Sequence, residues 1–319
     1  MSLRKRALVA LVACGVVIGM VAFLSRDTGP SYHGKTLKQW MNQYCWPDNP
    51  TVADLHPRKV FFEDREARQN EAADAVRHIG TNAIPALLDW EDKEYRVAWK
   101  YKLLATLPKG LQNWHPVGWW LVGRDHYRAD RALYGFYILG SNAIPAVPEL
   151  THRMMTRNSD SGMGAALALA NMGAAGLPAL LSALTNTQAP NRIVIVRSAA
   201  NATRAASNDV SGIVVLAQCV RDTDASVGAT AAMELGFITN RPDLTVSALV
   251  DGLKVSAGQV RARSADALGN YGAQARSTIP ALLRYQNDPD PFVRECVTTA
   301  LQKLGLDMPE TNRVPIGSP

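Results

Sequence analysis

The chain of 319 residues has only four cysteines, and their positions exclude a cysteine-based framework. They stand at positions 14, 45, 219 and 296, with no CxxC spacing, so the sequence predicts neither a zinc knuckle nor a redox pair. Cys219 and Cys296 lie in helix-like contexts, where we interpret each as a small buried residue.

Catalytic and ligand-binding motifs are missing as well. The six histidines form no HExxH or HxH pattern, and the sequence contains neither a glycine-rich phosphate loop nor a GxSxG nucleophile elbow. The sequence therefore predicts no catalytic residue, no metal ligand and no cofactor, and we expect a protein that is not an enzyme.

Positive charge is limited to two short stretches. The net charge is +6, but residues 1–26 contribute +4 and residues 93–131 contribute +5, whereas residues 132–319 contribute only +1. A protein that binds duplex DNA spreads lysine and arginine along a whole face. We therefore do not expect a nucleic-acid partner.

One long apolar run stands at the N-terminus. Residues 7–24 are 18 residues without a charge, and Arg4, Lys5 and Arg6 precede them. At about 1.5 Å per residue, a helix of this length nearly crosses a hydrocarbon core of about 30 Å. With the positive end in the cytoplasm, segment 1–27 is predicted to be an uncleaved anchor. It would hold a single-pass protein in the inner membrane of a bacterium.

Two alternatives remain for this segment. Leu11 to Gly15 resemble a lipobox, in which the Cys14 thiol would take a lipid, and a signal peptide could instead be cleaved after the apolar run. The residues after the run, Ala22 to Arg26, make a poor cleavage site. All three interpretations place the rest of the chain outside the cytoplasm.

The chain repeats itself at a fixed period. The octet beginning at Gly80, with sequence GTNAIPAL, recurs at Gly140 as GSNAIPAV, and shorter variants follow. The prolines of these copies stand at 85, 145, 178 and 280, so that 33 residues separate the second from the third and 102 the third from the fourth. A period in this range is typical of stacked helical arrays.

Most units share one order of signals, although the unit near 191–221 lacks both the proline and the closing glycine. Proline suits the first turn of a helix, a polar turn follows, and a second helix opens with Val-Arg and closes with an apolar residue and glycine. In the turn before the last helix we expect Asp288 and Asp290 to cap that helix. We also expect arginines such as Arg294 to pair with these aspartates and hold neighbouring repeats in register.

The Ile-Pro-Ala-Leu-Leu start, the aspartate-rich turn, the Val-Arg-x-x-Ala opening and the Leu-Gly end resemble the HEAT-repeat family, including the PBS-lyase HEAT-like group. The resemblance covers residues 63–305. It implies an all-α, right-handed α-solenoid of stacked antiparallel helix pairs, with the second helices lining a concave face. Such arrays mostly serve as interaction surfaces.

This pattern organises the chain into four parts. The anchor is followed by a linker and capping segment at 28–62, in which Leu37, Trp40 and Met41 share one helical face. The array at 63–305 comes next and includes a degenerate, tryptophan-rich unit at 92–125, because the prolines at 85 and 145 are nearly two periods apart. Residues 306–319 are predicted to be a disordered tail.

The tryptophan-rich region combines aromatic and basic residues, which commonly anchor binding surfaces. The candidate partner-binding residues are Arg96, Trp99, Lys100, Trp114, Trp119, Trp120, Arg124, Arg128 and Arg131. Alternatively, these tryptophans fill the core of the degenerate repeat, or the region contacts the membrane surface.

The function predicted from the sequence is a non-catalytic scaffold that binds a protein or peptide partner at the membrane. The resemblance leaves two alternatives open. One is an enzyme of the lyase type, since some HEAT-like proteins attach bilin pigments and others are DNA glycosylases. The other is a lipoprotein with the same binding role.

Overall fold

The computed structural model describes residues 29–45, 58–96, 103–112, 124–156, 159–206 and 209–306. The internal contacts divide the chain into two units, and the boundary falls between Ala83 and Ile84. The predicted anchor at 7–24 lies outside the described residues, as does almost all of the predicted tail.

The first unit contains a small hairpin and two helices. Strand β1 (Ser31–Tyr32) pairs antiparallel with β2 (Lys35–Thr36), and helices α1 (Leu37–Cys45) and α2 (Arg58–Ile79) follow. Leu37, Trp40 and Met41 are all buried, which confirms that they share the inner face of α1. The indole of Trp40 donates to the carbonyl of Tyr32 at 3.0 Å, which fixes the hairpin to α1.

Helix α1 packs along α2. The side-chain amide of Gln43 donates to the backbone carbonyl of Arg68 at 3.0 Å, and that of Gln69 donates to the carbonyl of Tyr44 at 2.9 Å. These bonds join the predicted capping segment to the helix that follows it, and α2 begins at Arg58, five residues before the predicted start of the array.

The second unit is a series of helix pairs. We number its helices so that the first helix of each pair is odd and the second is even. They are α3 (Ile84–Arg96), α4 (Arg124–Leu139), α5 (Val147–Thr156), α6 (Ser159–Asn171), α7 (Leu177–Thr185), α8 (Arg192–Ala205), α9 (Ser211–Cys219), α10 (Ala225–Leu235), α11 (Pro242–Gly252), α12 (Gly258–Asn270), α13 (Ile279–Leu283) and α14 (Pro291–Lys303).

The helices of this unit form two layers. Each even helix packs against the next even helix and against the odd helix of its own pair, and from α5 onward the odd helices contact one another less closely. The core between the layers is built mainly from leucine, valine, isoleucine and alanine, the side chains that bury most apolar area without a polar group.

The even helices approach one another at small residues. A Cβ placed on Gly236 would stand 2.8 Å from the Cβ of Ala267, and one placed on Gly269 would stand 3.0 Å from the Cα of Ala300. The two contacts lie 33 residues apart and join α10 to α12 and α12 to α14. Close contact at these points therefore requires glycine on one side of each joint.

Glycine also ends most of the even helices. Gly140, Gly173, Gly272 and Gly305 have φ between +50° and +85°, the left-handed conformation predicted for the closing glycines. Gly236 differs, with a φ of −61°. Its role is close packing on α12.

In the described part of the chain, no further helix pair lies between α3 and α4. Helix α3 continues to Arg96 and packs directly against α4, and Arg153 on α5 donates to the carbonyl of Leu88 on α3 at 2.8 Å. Thus α3 and α4 form one pair, and residues 97–123 connect its helices. The described part of this connection contains a one-turn helix at 103–106 and a second at Lys109–Gln112.

Candidate interaction surface

The structure describes only part of the predicted tryptophan-rich patch. Arg96 ends α3, and Arg124, Arg128 and Arg131 lie on α4 at helical spacing. The side chain of Arg131 is half-buried. The remaining predicted residues lie outside the described part of the chain: Trp99, Lys100, Trp114, Trp119 and Trp120. The patch therefore stays a prediction.

Two exposed aromatic residues lie on α4 next to the predicted patch. Tyr134 is 47% exposed and Tyr137 is 62% exposed, and they stand three and six residues after Arg131. Residues three apart are neighbours on a helix surface. We did not predict these tyrosines, although their spacing from Arg131 was a readable signal.

The solvent-facing side of the even helices from α8 to α14 forms a second candidate surface, which we call the even-helix face. We define it by the following exposed or half-buried side chains of these helices. On α8 these are Arg197, Asn201 and Arg204; on α10, Ser226, Ala229 and Met233; on α12, Gln259, Arg263, Asp266 and Asn270; on α14, Phe292, Glu295, Thr299 and Lys303.

Several charges on this face are neutralised across a joint. Arg204 Nη1 on α8 donates to Glu234 Oε2 on α10 at 3.1 Å. Lys303 Nζ on α14 donates to Asp266 Oδ1 on α12 at 3.1 Å. These pairs join consecutive even helices, and the two charges of each pair cancel on the even-helix face.

Two arginines on the face lack such a partner. Arg197 and Arg263 are exposed, and no carboxylate in the described part of the chain lies within ion-pair distance of either one. The guanidinium of Arg263 lies 5.7 Å from the ring centroid of Phe292, an exposed aromatic residue at the start of α14. A cation–π contact of this kind orients the guanidinium and leaves its N–H donors available.

Open grooves lie on the odd layer in the described part of the chain. One, of about 460 Å³, lies between α9 and α11 and is lined by residues such as Val214 and Leu244. Another, of about 610 Å³, lies between α11 and the segment Gln274–Ala281. Arg221 and Asp251 form an ion pair that closes the first groove on one side, so its charges already have partners.

Two joints of the array are held by buried arginine–aspartate pairs, which we call rungs. Arg261 on α12 donates from Nε and Nη2 to the two carboxylate oxygens of Asp288, each at 2.8 Å. Arg192 at the start of α8 makes the same two-pronged contact with Asp222, at 2.6 and 2.5 Å. In both rungs the aspartate belongs to the turn of the following pair.

The aspartate of each rung also shapes its own turn. Asp288 accepts a bond from the backbone N–H of Asp290, which in turn caps α14 by accepting from Phe292 N–H at 2.9 Å. The hydrogen bond from Arg261 holds the pKa of the Asp288 carboxyl below its usual value. Burial acts to raise the pKa of Asp222, but the bond from Arg192 and the N–H of Asp224 lower it overall.

The structure corrects the expected partner of Arg294. Its Nη1 donates to the backbone carbonyls of Asp288 and Pro289, at 2.7 and 3.2 Å, and not to a carboxylate. The Asp288 carboxylate is already bound by Arg261 of the preceding pair. Arginine–aspartate rungs therefore form at two joints, displaced by one pair from the prediction, and of the two aspartates expected to cap α14 only Asp290 does so.

The joint between α10 and α12 lacks a rung. The positions that correspond to Arg261 and Asp288, 33 residues earlier, are Gly228 and Val255. Both halves of the rung are absent together, so neither an arginine nor an aspartate is left buried alone between α10 and α12. The hydroxyl of Tyr271 bonds the carbonyls of Leu235 and Ile238 at this joint instead, at 2.7 and 2.8 Å.

Within the described part of the chain, no group of three or more metal-binding side chains comes together. Among the same residues, no helix has the length and apolar character needed to cross a bilayer. The predicted anchor lies outside these described residues.

The layered helix pairs and their 33-residue spacing define the second unit as an α-helical repeat of the solenoid class. Residues 246–312 match a family model described as HEAT repeats. A crystal structure of an engineered protein from the Northeast Structural Genomics Consortium is 23% identical, with a TM-score of 0.38, and the alignment covers 55% of this chain and 91% of that chain. No curated protein matches the chain.

Proposed function

We propose that this protein is a non-catalytic scaffold, anchored in a bacterial inner membrane by residues 7–24, that binds a protein partner on the extracytoplasmic side. Arrays of this class generally position partners and do not make bonds. The observation that carries the proposal is the even-helix face. Exposed Arg197 and Arg263 flank α10, whose exposed side chains are uncharged, and exposed arginine beside apolar surface is typical of binding sites.

The test is site-specific photo-crosslinking in intact membranes. A photoreactive residue replaces Met233 on the even-helix face of the full-length chain, and a matched variant carries it at Val214 on the odd layer. We expect a discrete protein adduct from position 233 and none from position 214. Turnover of a small molecule, abolished by changing a single carboxylate, would instead show that the protein is an enzyme.

The anchor needs its own experiment. A topology reporter fused to the C-terminus is expected to be active only outside the cytoplasm. The full-length chain should also sediment with membranes, whereas a chain starting at Thr28 should not. A cytoplasmic reporter signal would reject the proposed location and leave the scaffold role untouched.

The tryptophan-rich patch is a second surface for the same function. It is supported by Tyr134 and Tyr137, which are exposed on the same helix as Arg131. Trp119→Ala or Trp120→Ala is expected to abolish capture of the partner while circular dichroism stays unchanged. Loss of helical signal would instead place these tryptophans in the core.

A further inference from the structure

We propose that the even-helix face from α8 to α12 binds an extended peptide segment that has an apolar residue midway between two acidic residues. This inference rests on the scaffold function and specifies the chemistry of the partner. It follows from three consecutive even helices, of which the two outer ones carry an exposed arginine and the central one carries apolar surface.

The two outer helices supply the positive charge. Arg197 on α8 and Arg263 on α12 occupy corresponding positions two repeats apart, 66 residues from each other. Both are exposed and make no ion pair with the described residues. A carboxylate is the side chain that a guanidinium fork binds most specifically, through two parallel hydrogen bonds.

The central helix supplies apolar surface. Helix α10 has one charged residue, Glu234, whose side chain is 10% exposed and already bound by Arg204. Its outward residues include Ala229 and Met233, both half-buried. Methionine adapts its shape to a docked side chain, so this position suits an aliphatic residue of the partner.

The helix spacing sets the length of the segment. Neighbouring helix axes lie about 8–10 Å apart, so α8 and α12 are separated by roughly 18 Å. A chain in the polyproline II conformation advances about 3.1 Å per residue with three residues per turn, so this distance is about six residues and residues i, i+3 and i+6 share one face. The two acidic residues therefore stand at positions i and i+6, with the apolar residue at i+3.

The face fits separate carboxylates better than a nucleic-acid backbone. Glu234, Asp266 and Glu295 lie on or beside it, and their charges would repel a continuous row of phosphates. A peptide with two spaced carboxylates avoids these positions. A single-stranded oligonucleotide is accordingly the competing ligand in the test.

The experiment measures binding of a fluorescent peptide, GSGDSGLSGDSGS, to the full-length protein in detergent by fluorescence anisotropy. Arg197→Gln combined with Arg263→Gln is expected to weaken binding about tenfold, since each exposed ion pair contributes up to about fivefold. Arg284→Gln, an exposed arginine on the odd side of the array, is the matched control and should leave the affinity unchanged.

Three further peptides test the pattern. Replacing both aspartates by asparagine, replacing the leucine by serine, or moving the aspartates to positions i and i+2 should each weaken binding by about threefold or more. Raising the salt concentration should also weaken the original complex, because exposed charge pairs are screened.

The proposal is overturned if the double variant binds as tightly as the wild type, if spacing has no effect, if an oligothymidylate binds more tightly, or if the peptide shows no binding. The crosslinking test separates this failure from failure of the scaffold function. An adduct at position 233 together with absent peptide binding rejects the motif alone, whereas absence of both rejects the scaffold.

Discussion

Arg261 and Asp288 belong to consecutive helix pairs and face each other through two parallel hydrogen bonds of 2.8 Å. Their side chains are only 12% and 4% exposed, and Arg261 also bonds the carbonyl of Val255 in its own turn. One arginine therefore connects the turns of two pairs. The corresponding contact of Arg192 with Asp222 does the same for an earlier joint.

The first prediction concerns the strength of this contact. Asp288→Ala leaves the buried guanidinium of Arg261 without its carboxylate and the N–H of Asp290 without its acceptor. We expect the free energy of unfolding to fall by about 3 kcal/mol, measured by urea denaturation followed by circular dichroism.

The control is Asp243→Ala. Asp243 pairs with Arg241 at the surface, where the two side chains are 58% and 40% exposed. Its removal should change stability by no more than about 0.5 kcal/mol. Equal losses in the two variants would show that the rung adds nothing beyond a surface ion pair.

The second prediction concerns pH. The bond from Arg261 lowers the folded-state pKa of Asp288, so the stability it adds is fully present above the unfolded-state value of about 3.9. This stability is lost as the pH falls through the folded-state value. The gap in unfolding free energy between the wild type and Asp288→Asn should therefore be largest above about pH 5 and should shrink below about pH 4. A gap that stays constant down to low pH would contradict the assignment.

The third prediction concerns the joint between α10 and α12. Tyr271 is 5% exposed, and its hydroxyl lies between two backbone carbonyls of the preceding pair. Tyr271→Phe keeps the ring but removes the donor, which should lower the free energy of unfolding by about 1–2 kcal/mol. Tyr285→Phe, on a half-exposed turn, provides the comparison and should have little effect.

The fourth prediction concerns the contact of Gly236 with Ala267. An added methyl group would stand 2.8 Å from the Cβ of Ala267, so α10 and α12 must separate. We expect Gly236→Ala to cost about 1–3 kcal/mol in thermal or urea unfolding. Gly110→Ala meets no atom within 4 Å and should be neutral or slightly stabilising. A neutral Gly236→Ala would mean that α10 and α12 separate at little energetic cost.

Features of the fold that depend on neighbouring residues were predicted correctly from the sequence. Leu37, Trp40 and Met41 are buried together because a 3.6-residue period places them on one face. Asp290 caps α14, and Gly140 closes α4 in the left-handed conformation, since both effects depend only on neighbouring residues. Such short-range chemistry can be read from one sequence.

Contacts between residues far apart in the sequence were harder to predict. The spacing of 60 between Pro85 and Pro145 fits either two periods or one period with an insertion, and the packing of α3 on α4 shows the second arrangement. Likewise, Asp288 lies near both Arg261 and Arg294, and only the stacking of the pairs decides which arginine binds its carboxylate. The candidate site depends on the same stacking, because Arg197 and Arg263 share a face only once the helices are arranged.

A rung that spans two repeats limits how such a chain can change its length during evolution. Loss of the 33-residue period from Ala229 to Arg261 would bring Gly228 opposite Asp288, and would bury that carboxylate without its counter-charge. Duplication of a period leaves no buried charge unpaired only when the new copy has both an arginine that pairs with the aspartate of the next repeat and an aspartate that pairs with the arginine of the previous one. The unit that must be kept intact is thus the joint between two repeats. An array of this kind gains or loses a repeat most easily where the joint contains no charged pair, as at Gly228 and Val255.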